Sequence, residues 1–268
     1  MRNMTLGQYF PGESFLHRMD PRMKLMLTVA LIVIVFVSQG FAGFGLILAF
    51  VLLCAVSSGI KLKFLVKGLK PILFIMLFTF VLNIFFQSGG NTIFSWRFIR
   101  VTDQGVRMAF FLAIRLILLV VCSQLLTLTT SPIALTDGME SLFRPLSRIG
   151  FPAHEIAMMM SIALRFIPTL MDEANKIMKA QMARGADFES GNLIQRAKAM
   201  VPLLVPLFVG AFRRAEDLAL AMEARCYHGG EGRTRMRVLK YGWRDAAALA
   251  AVAALLAAVV VLNAFGVA

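Results

Sequence analysis

Two arginines sit in a phrase that the chain repeats. Ala180-Gln181-Met182-Ala183-Arg184-Gly185 and Ala221-Met222-Glu223-Ala224-Arg225-Cys226 both read Ala-x-x-Ala-Arg-small, 41 residues apart. The same offset lays Leu170, Met171, Ala174, Ile177 and Met178 on Ala211, Phe212, Ala215, Leu218 and Ala219, apolar on apolar at helical spacing. The pattern describes two amphipathic helices, each ending in an arginine at the same angular position. A guanidinium offers five donors in a rigid fork, which suits carboxylates and helix-end carbonyls in a groove. Small neighbours let such a helix end approach closely, and Gly185 reads as the residue past the first helix, where φ is positive. One last-turn arginine would need only the helix dipole to explain it, worth roughly 0.3–1 kcal/mol. Two in one phrase are harder to account for that way.

Other chemistry is sparse. No Gly-x-x-x-x-Gly-Lys-Ser/Thr run occurs, so no P-loop for ATP hydrolysis is present. His17, His154 and His228 lack metal-site spacing, and Cys226 with His228 offers too few ligands for zinc. No Ser/His/Asp set or aspartate pair lies inside an apolar stretch. The chain is therefore expected to be no enzyme, with no metal and no cofactor of its own. Within the apolar stretches Asn83 and Arg115 are the polar residues nearest mid-span. Arg115 either snorkels to the outer interface, pairs with a buried amide such as Asn83, or contacts a partner membrane protein.

The elements that must position these residues are membrane helices. The chain has 268 residues, 59% of them hydrophobic and 16% charged, with a mean hydropathy of +0.75, against about 45–50% apolar and about 25% charged in soluble domains. Spans are expected at Leu25–Val37, Phe41–Ile60, Pro71–Phe86, Val106–Leu128 and Ala246–Val267, each measured against the ~20 residues a crossing needs. The turn-rich segment before Leu25 is too long for the n-region of a signal peptide, so the first span is read as retained. Gln87–Gln104 reads as a polar loop with Trp96 as an interfacial aromatic. Three cysteines, two of them in apolar stretches, indicate no disulfide framework.

Residues 130–245 differ in kind. Proline-interrupted segments carry charge on one face, and Thr169-Leu-Met-Asp172 looks like a capping-box start for the first arginine-ended helix. Ala199–Phe212 is apolar but holds Pro202 and Pro206, and its length suits an interfacial or buried helix better than a crossing. Sixteen Lys or Arg lie between residues 130 and 245. With Arg2, Arg18, Arg22 and Lys24 before the first span and Lys61, Lys63, Lys67 and Lys70 after the second, they place the N-terminus and this layer in the cytosol. Five crossings then leave the C-terminus outside. The domains expected are 1–129 in the membrane, 130–245 cytosolic, and 246–268 as a last helix packing back on the membrane domain.

Several fragments together resemble one family. Gly7-Gln-Tyr-Phe-Pro-Gly12, His17-Arg-x-Asp-Pro-Arg-x-Lys24, Thr129-Thr-Ser-Pro132, Leu164-Arg-Phe-Ile-Pro168 and the doubled arginine phrase are similar to the transmembrane T component of energy-coupling factor transporters, prokaryotic importers of vitamins and trace metals. The resemblance runs from about residue 7 to 245. It implies an L-shaped, all-α integral membrane protein whose partners are a substrate-binding S component in the bilayer and two ABC-type ATPases, with ATP used by those ATPases and no nucleic acid involved. It places Ala183-Arg184-Gly185 and Ala224-Arg225-Cys226 in grooves of the two ATPase subunits. Cys226 departs from the family's glycine, which puts the second cap's geometry in question. Two tips of this kind would turn closure of an ATPase dimer into relative movement of two helices, and Met- and Ala-rich faces would ease sliding. The alternatives are a permease of another class that binds solute directly, which would need a polar mid-membrane cluster, and an intramembrane enzyme.

Overall fold

Asp20 starts the first helix. In the computed structural model, which describes residues 9–86, 89, 92–96, 99–188, 190, 192–229 and 238–265, the Asp20 carboxylate accepts from the Arg22 amide at 2.9 Å. Pro21 then opens helix α1, Pro21–Val37, where a missing N–H costs nothing. Helices α2 (Phe41–Ser57), α3 (Leu62–Leu69) and α4 (Leu73–Phe86) follow. A two-stranded antiparallel hairpin, β1 (Thr92–Trp96) with β2 (Ile99–Thr102), stands where a plain polar loop was expected. The Trp96 side chain, read as interfacial, lies outside the described residues. Helix α5 (Asp103–Thr129) is capped by the Thr102 hydroxyl, which accepts from the Gly105 amide at 3.1 Å.

The chain divides into two compact units, Met1–Gly138 with Val238–Ala268, and Met139–Arg237. The boundary between these units falls at Gly138, inside helix α6 (Pro132–Phe143). In the first unit α1, α2, α5 and the last helix, α9 (Trp243–Ala264), share one core around Ile34, Val35, Phe44, Ile47, Leu118 and Val259. A smaller cluster of Ala55, Ile60, Leu65, Leu125 and Leu128 holds α3 to α2 and α5. Outward faces are apolar as well: Val29, Val33, Phe36, Leu53, Val56, Phe74 and Phe78 are all exposed. Water does not tolerate apolar patches of this extent, but lipid does.

The long helices differ from the expected spans. Helix α5, helix α9 and one helix of the second unit are long and apolar enough to cross a membrane, and α3 with α4, bent by 60°, adds one broken span. Helices α1 and α2 have 17 residues each, about 26 Å at 1.5 Å per residue against a ~30 Å core. By length and composition, three helices, or four if the bent pair is one span, are candidates to cross a membrane among the described residues.

Two motifs distant in sequence meet in a buried polar knot. The Lys24 ammonium donates to Thr129 O at 3.1 Å, Thr130 Oγ1 at 3.2 Å and His17 O at 3.3 Å. The Asp20 amide donates to Asp245 Oδ1 at 2.9 Å, and Asp245 Oδ2 accepts from Gly242 N, capping α9. Asp20, Lys24 and Asp245 are all buried. The segments His17–Lys24 and Thr129–Pro132, far apart in sequence, are thus one structure that pins α1, α5 and α9 together. Lys24→Met keeps the bulk but strands the Thr129 carbonyl and removes the buried cation whose field acts on Asp245 and Asp20. It should cost about 2–5 kcal/mol, read as a lowered thermal unfolding midpoint in detergent, and Lys24→Arg should lose less.

The second unit contains a 3-10 turn, Arg144–Ile149, and two helices of 31 residues, α7 (Ala153–Ala183) and α8 (Leu193–Glu223). Both correct the reading of short, proline-broken segments. Helix α7 passes through Pro168, and α8 through Pro202 and Pro206. Thr169, expected to cap a new helix, lies inside α7 and donates its hydroxyl to Phe166 O at 2.7 Å. An interior proline costs about 3 kcal/mol in helix propensity, which packing along the rest of a 31-residue helix offsets. Uninterrupted, α8 becomes long enough to cross a membrane, unlike the 14-residue stretch read from the sequence.

Candidate functional site

The two arginine phrases fold into the same helix ending, bond for bond. At the end of α7 the Gly185 amide donates to Met182 O at 3.0 Å and the Ala186 amide to Gln181 O at 3.0 Å. At the end of α8 the Cys226 amide donates to Glu223 O at 2.8 Å and the Tyr227 amide to Met222 O at 3.1 Å. These paired bonds make a Schellman ending in each case. Arg184 and Arg225 hold the same place in it, the last residue before the chain turns left-handed. Gly185 has φ 87° and Cys226 has φ 55°. The cysteine therefore keeps the geometry of the glycine, although a side chain with Cβ gives up about 1–2 kcal/mol in that region. Cys226 is the sole non-glycine residue with positive φ among the described residues.

Ala183, Arg184, Gly185, Ala224, Arg225 and Cys226 are all exposed. Among the described residues neither Arg184 nor Arg225 is ion-paired. Each tip thus offers a free guanidinium fork beside small residues, with the helix-end dipole favouring the cation.

Behind the tips the helices are joined by charge. Arg214 of α8 donates to Glu173 of α7, and these positions are again 41 apart, equivalent places in the repeat. Thr169, Asp172, Glu173, Lys176 and Arg214 line one notch between the helices. The offset sets Asp172 on Arg213, Glu173 on Arg214 and Lys176 on Asp217, so the copies carry opposite charge where they correspond. Equivalent positions that touch mean that α7 and α8 meet at the same point along each copy. Glycine at 210 assists, since a Cβ there would meet Glu173 Oε1 at 3.2 Å. This pair was overlooked in the sequence, though the sign reversal at the repeat offset signals it.

Arg115 and Asn83 are not brought together. Arg115 Nη2 donates to Ser38 O at 3.2 Å, and its guanidinium lies 5.7 Å from the Phe36 ring centre and 5.6 Å from that of Phe44. It clamps the α1–α2 turn, which Asn263 of α9 also holds through Val37 O at 2.9 Å. Asn83 instead donates to Thr79 O of its own helix at 2.8 Å. The histidines are similarly engaged: His17 with Ser14 and Phe10 O, His154 with Glu140. Cys54, Cys122 and Cys226 are free thiols.

Apolar helices of spanning length, joined to a unit whose two long helices end in matching arginine caps, define a helical membrane protein. Residues 12–236 match the family described as cobalt transport protein, CbiQ. The energy-coupling factor transporter transmembrane protein EcfT of Clostridium kluyveri is 56% identical over 246 residues, 91% of each chain. That of Bacillus subtilis is 48% identical over 264 residues, covering 98% of this chain and 100% of its own. The chain belongs to the CbiQ family, and to the kind that forms the transmembrane component of an energy-coupling factor transporter. These relatives are named as transmembrane proteins of energy-coupling factor transporters.

Proposed function

We propose that this chain is the coupling subunit of a vitamin or micronutrient importer, carrying ATP-driven closure of two ABC-type ATPase subunits to a substrate-binding S component. The observation that supports it most is the duplicate helix ending: two exposed, unpaired guanidinium forks in the same cap, on helices that meet at equivalent points. A dimer of ATPases presents two equivalent grooves, and a repeated tip is what two equivalent grooves require. Ala183, Arg184 and Gly185 enter one groove, and Ala224, Arg225 and Cys226 the other. ATP is bound and hydrolysed by the partners. The exposed apolar residues of α8, among them Val201, Val205, Phe208 and Phe212, offer the S component a surface of membrane character. Arg115 and Asn83 remain the polar residues available to a partner inside the bilayer. Purification of the tagged chain from its native membrane should recover ATPase subunits and a small membrane protein with it. Recovery of the chain alone, active in solute binding, would favour the permease reading.

The orientation belongs to the same reading. Helices α1, α2, α4, α5 and α9 cross, with the N-terminus and the second unit in the cytosol and the C-terminus outside. The Lys/Arg distribution supports this, and 17 residues lies at the short end of the range that spans a bilayer. Exposed Cys226 should react with an impermeant maleimide only from the cytosolic side, while a C-terminal tag is reached only from outside. A tag accessible from the cytosol would mean an even number of crossings, with α8 as the added span.

A further inference from the structure

The bend between α3 and α4 opens a cavity of about 410 Å³ that the coupling reading does not use. Lys63, Lys67 and Lys70, which recur at i, i+4 and i+7 and so share one helical face, are among its lining residues, chiefly through their aliphatic stems. Its floor is apolar, built from Leu73 and Met76 of α4 and Ile117 and Val120 of α5. No carboxylate is among the lining residues, and among the described residues none of the three lysines is ion-paired. Leu65, on the opposite side of α3, is buried in the cluster with Ala55 and Leu128, so the lysines occupy the face of α3 turned away from that cluster. The 60° bend then turns α4 away as an apolar helix with Leu73, Phe74, Ile75, Leu77 and Phe78 exposed.

We infer that this cavity is a binding site for one anionic phospholipid, its phosphate held by Lys63, Lys67 and Lys70 and an acyl chain lying between α4 and α5. Two chemistries have to coincide in the ligand, a phosphate anion and a long hydrocarbon chain continuous with it, as lysines and apolar side chains coincide in the lining of the cavity. A lysine cluster at the headgroup level attracts anionic lipid, while the apolar floor demands a chain that water-soluble phosphates lack. The volume lies within the roughly 300–1,000 Å³ of small-molecule sites. The site stands apart from the arginine tips, so failure of the coupling reading would leave it unchanged.

The test is native mass spectrometry of the full chain in nonionic detergent, titrated with phosphatidylglycerol or phosphatidylcholine. The wild-type chain should retain one phosphatidylglycerol in preference to phosphatidylcholine by at least about tenfold, each lysine contributing a factor of about five. Lys63→Gln/Lys67→Gln/Lys70→Gln should erase the preference. Met76→Trp keeps every charge but fills the floor, and it too should lose the retained lipid. Undiminished phosphatidylglycerol binding by Met76→Trp would show diffuse attraction to a basic surface and overturn the inference. So would equal retention of the two lipids by the wild-type chain. Protection of the three lysines from acetylation by a co-purifying membrane protein, and not by phosphatidylglycerol, would assign the cavity to a protein partner and overturn it as well.

Discussion

Arg184→Glu/Arg225→Glu should abolish ATP-driven uptake while leaving the chain in the membrane at its normal level. Both side chains are exposed at helix ends, and both caps are made by backbone amides and carbonyls, so the folded chain loses only the dipole contribution, roughly 0.3–1 kcal/mol per site. The loss falls on association. A fitted guanidinium replaced by a carboxylate removes donors and adds repulsion, and truncating such a contact alone costs about 2–5 kcal/mol. Each single reversal should then weaken ATPase binding by roughly 30- to 4,000-fold. Either single variant keeps one tip, whose attachment holds the second ATPase subunit at high effective concentration, so some assembly survives. The double variant has neither. Arg→Lys should fall in between, because an ammonium is a point charge and cannot reproduce a planar fork. Co-purification of ATPase subunits and uptake by membrane vesicles decide the matter. Normal assembly in the double variant would remove the tips from the coupling path.

The second large effect belongs to the joint between α7 and α8. Glu173→Arg sets a second guanidinium against Arg214, and Arg214→Glu sets two carboxylates together. The pair is about one-third exposed, with side-chain exposures of 35% for Arg214 and 29% for Glu173. Its worth lies between a surface pair at about 0.2–1 kcal/mol and a buried one at about 3–5 kcal/mol, and reversal adds repulsion to the loss. Each single change should therefore destabilise the two-helix unit by roughly 2–4 kcal/mol and impair uptake. The exchange Glu173→Arg/Arg214→Glu should recover most of both. Because the two residues occupy equivalent places in the repeat, exchanging them leaves the same fork facing the same carboxylate across the same contact. Thermal unfolding and uptake of the two singles and the exchange make a double-mutant cycle. An exchange variant no better than the singles would show that the local fields of Asp172, Lys176 and Arg213 matter more than the pair itself.

Both effects trace to the repeat, and the repeat separates what sequence alone determined from what tertiary structure decided. That the chain is a helical membrane protein follows from composition, because lipid admits only apolar, internally hydrogen-bonded segments. The paired arginine endings were legible too, since a cap is a local structure written in a few consecutive residues, and so were the fragments that carry the family resemblance. Even the strained Cys226 could be flagged from its position, although only the structure shows that it adopts the left-handed turn.

The rest depended on contacts between residues distant in the chain. Pro168 reads as a break, and the run holding Pro202 and Pro206 as a short helix, because local propensity counts the lost hydrogen bond and not the packing along two helices of 31 residues. Arg115 found a carbonyl in the α1–α2 turn, not Asn83, because which helices are neighbours is not written in either stretch. The motif from His17 to Lys24 and the motif at Thr129 were each recognisable as phrases, yet their meeting over 105 residues at the Lys24 ammonium is a property of the folded chain. The sequence by itself determined the class of the protein and the form of its tips, which rest on local chemistry. Only the tertiary structure decided how those tips are carried and where the buried charges are satisfied, because desolvated charge is stabilised by whichever groups the packing brings within reach.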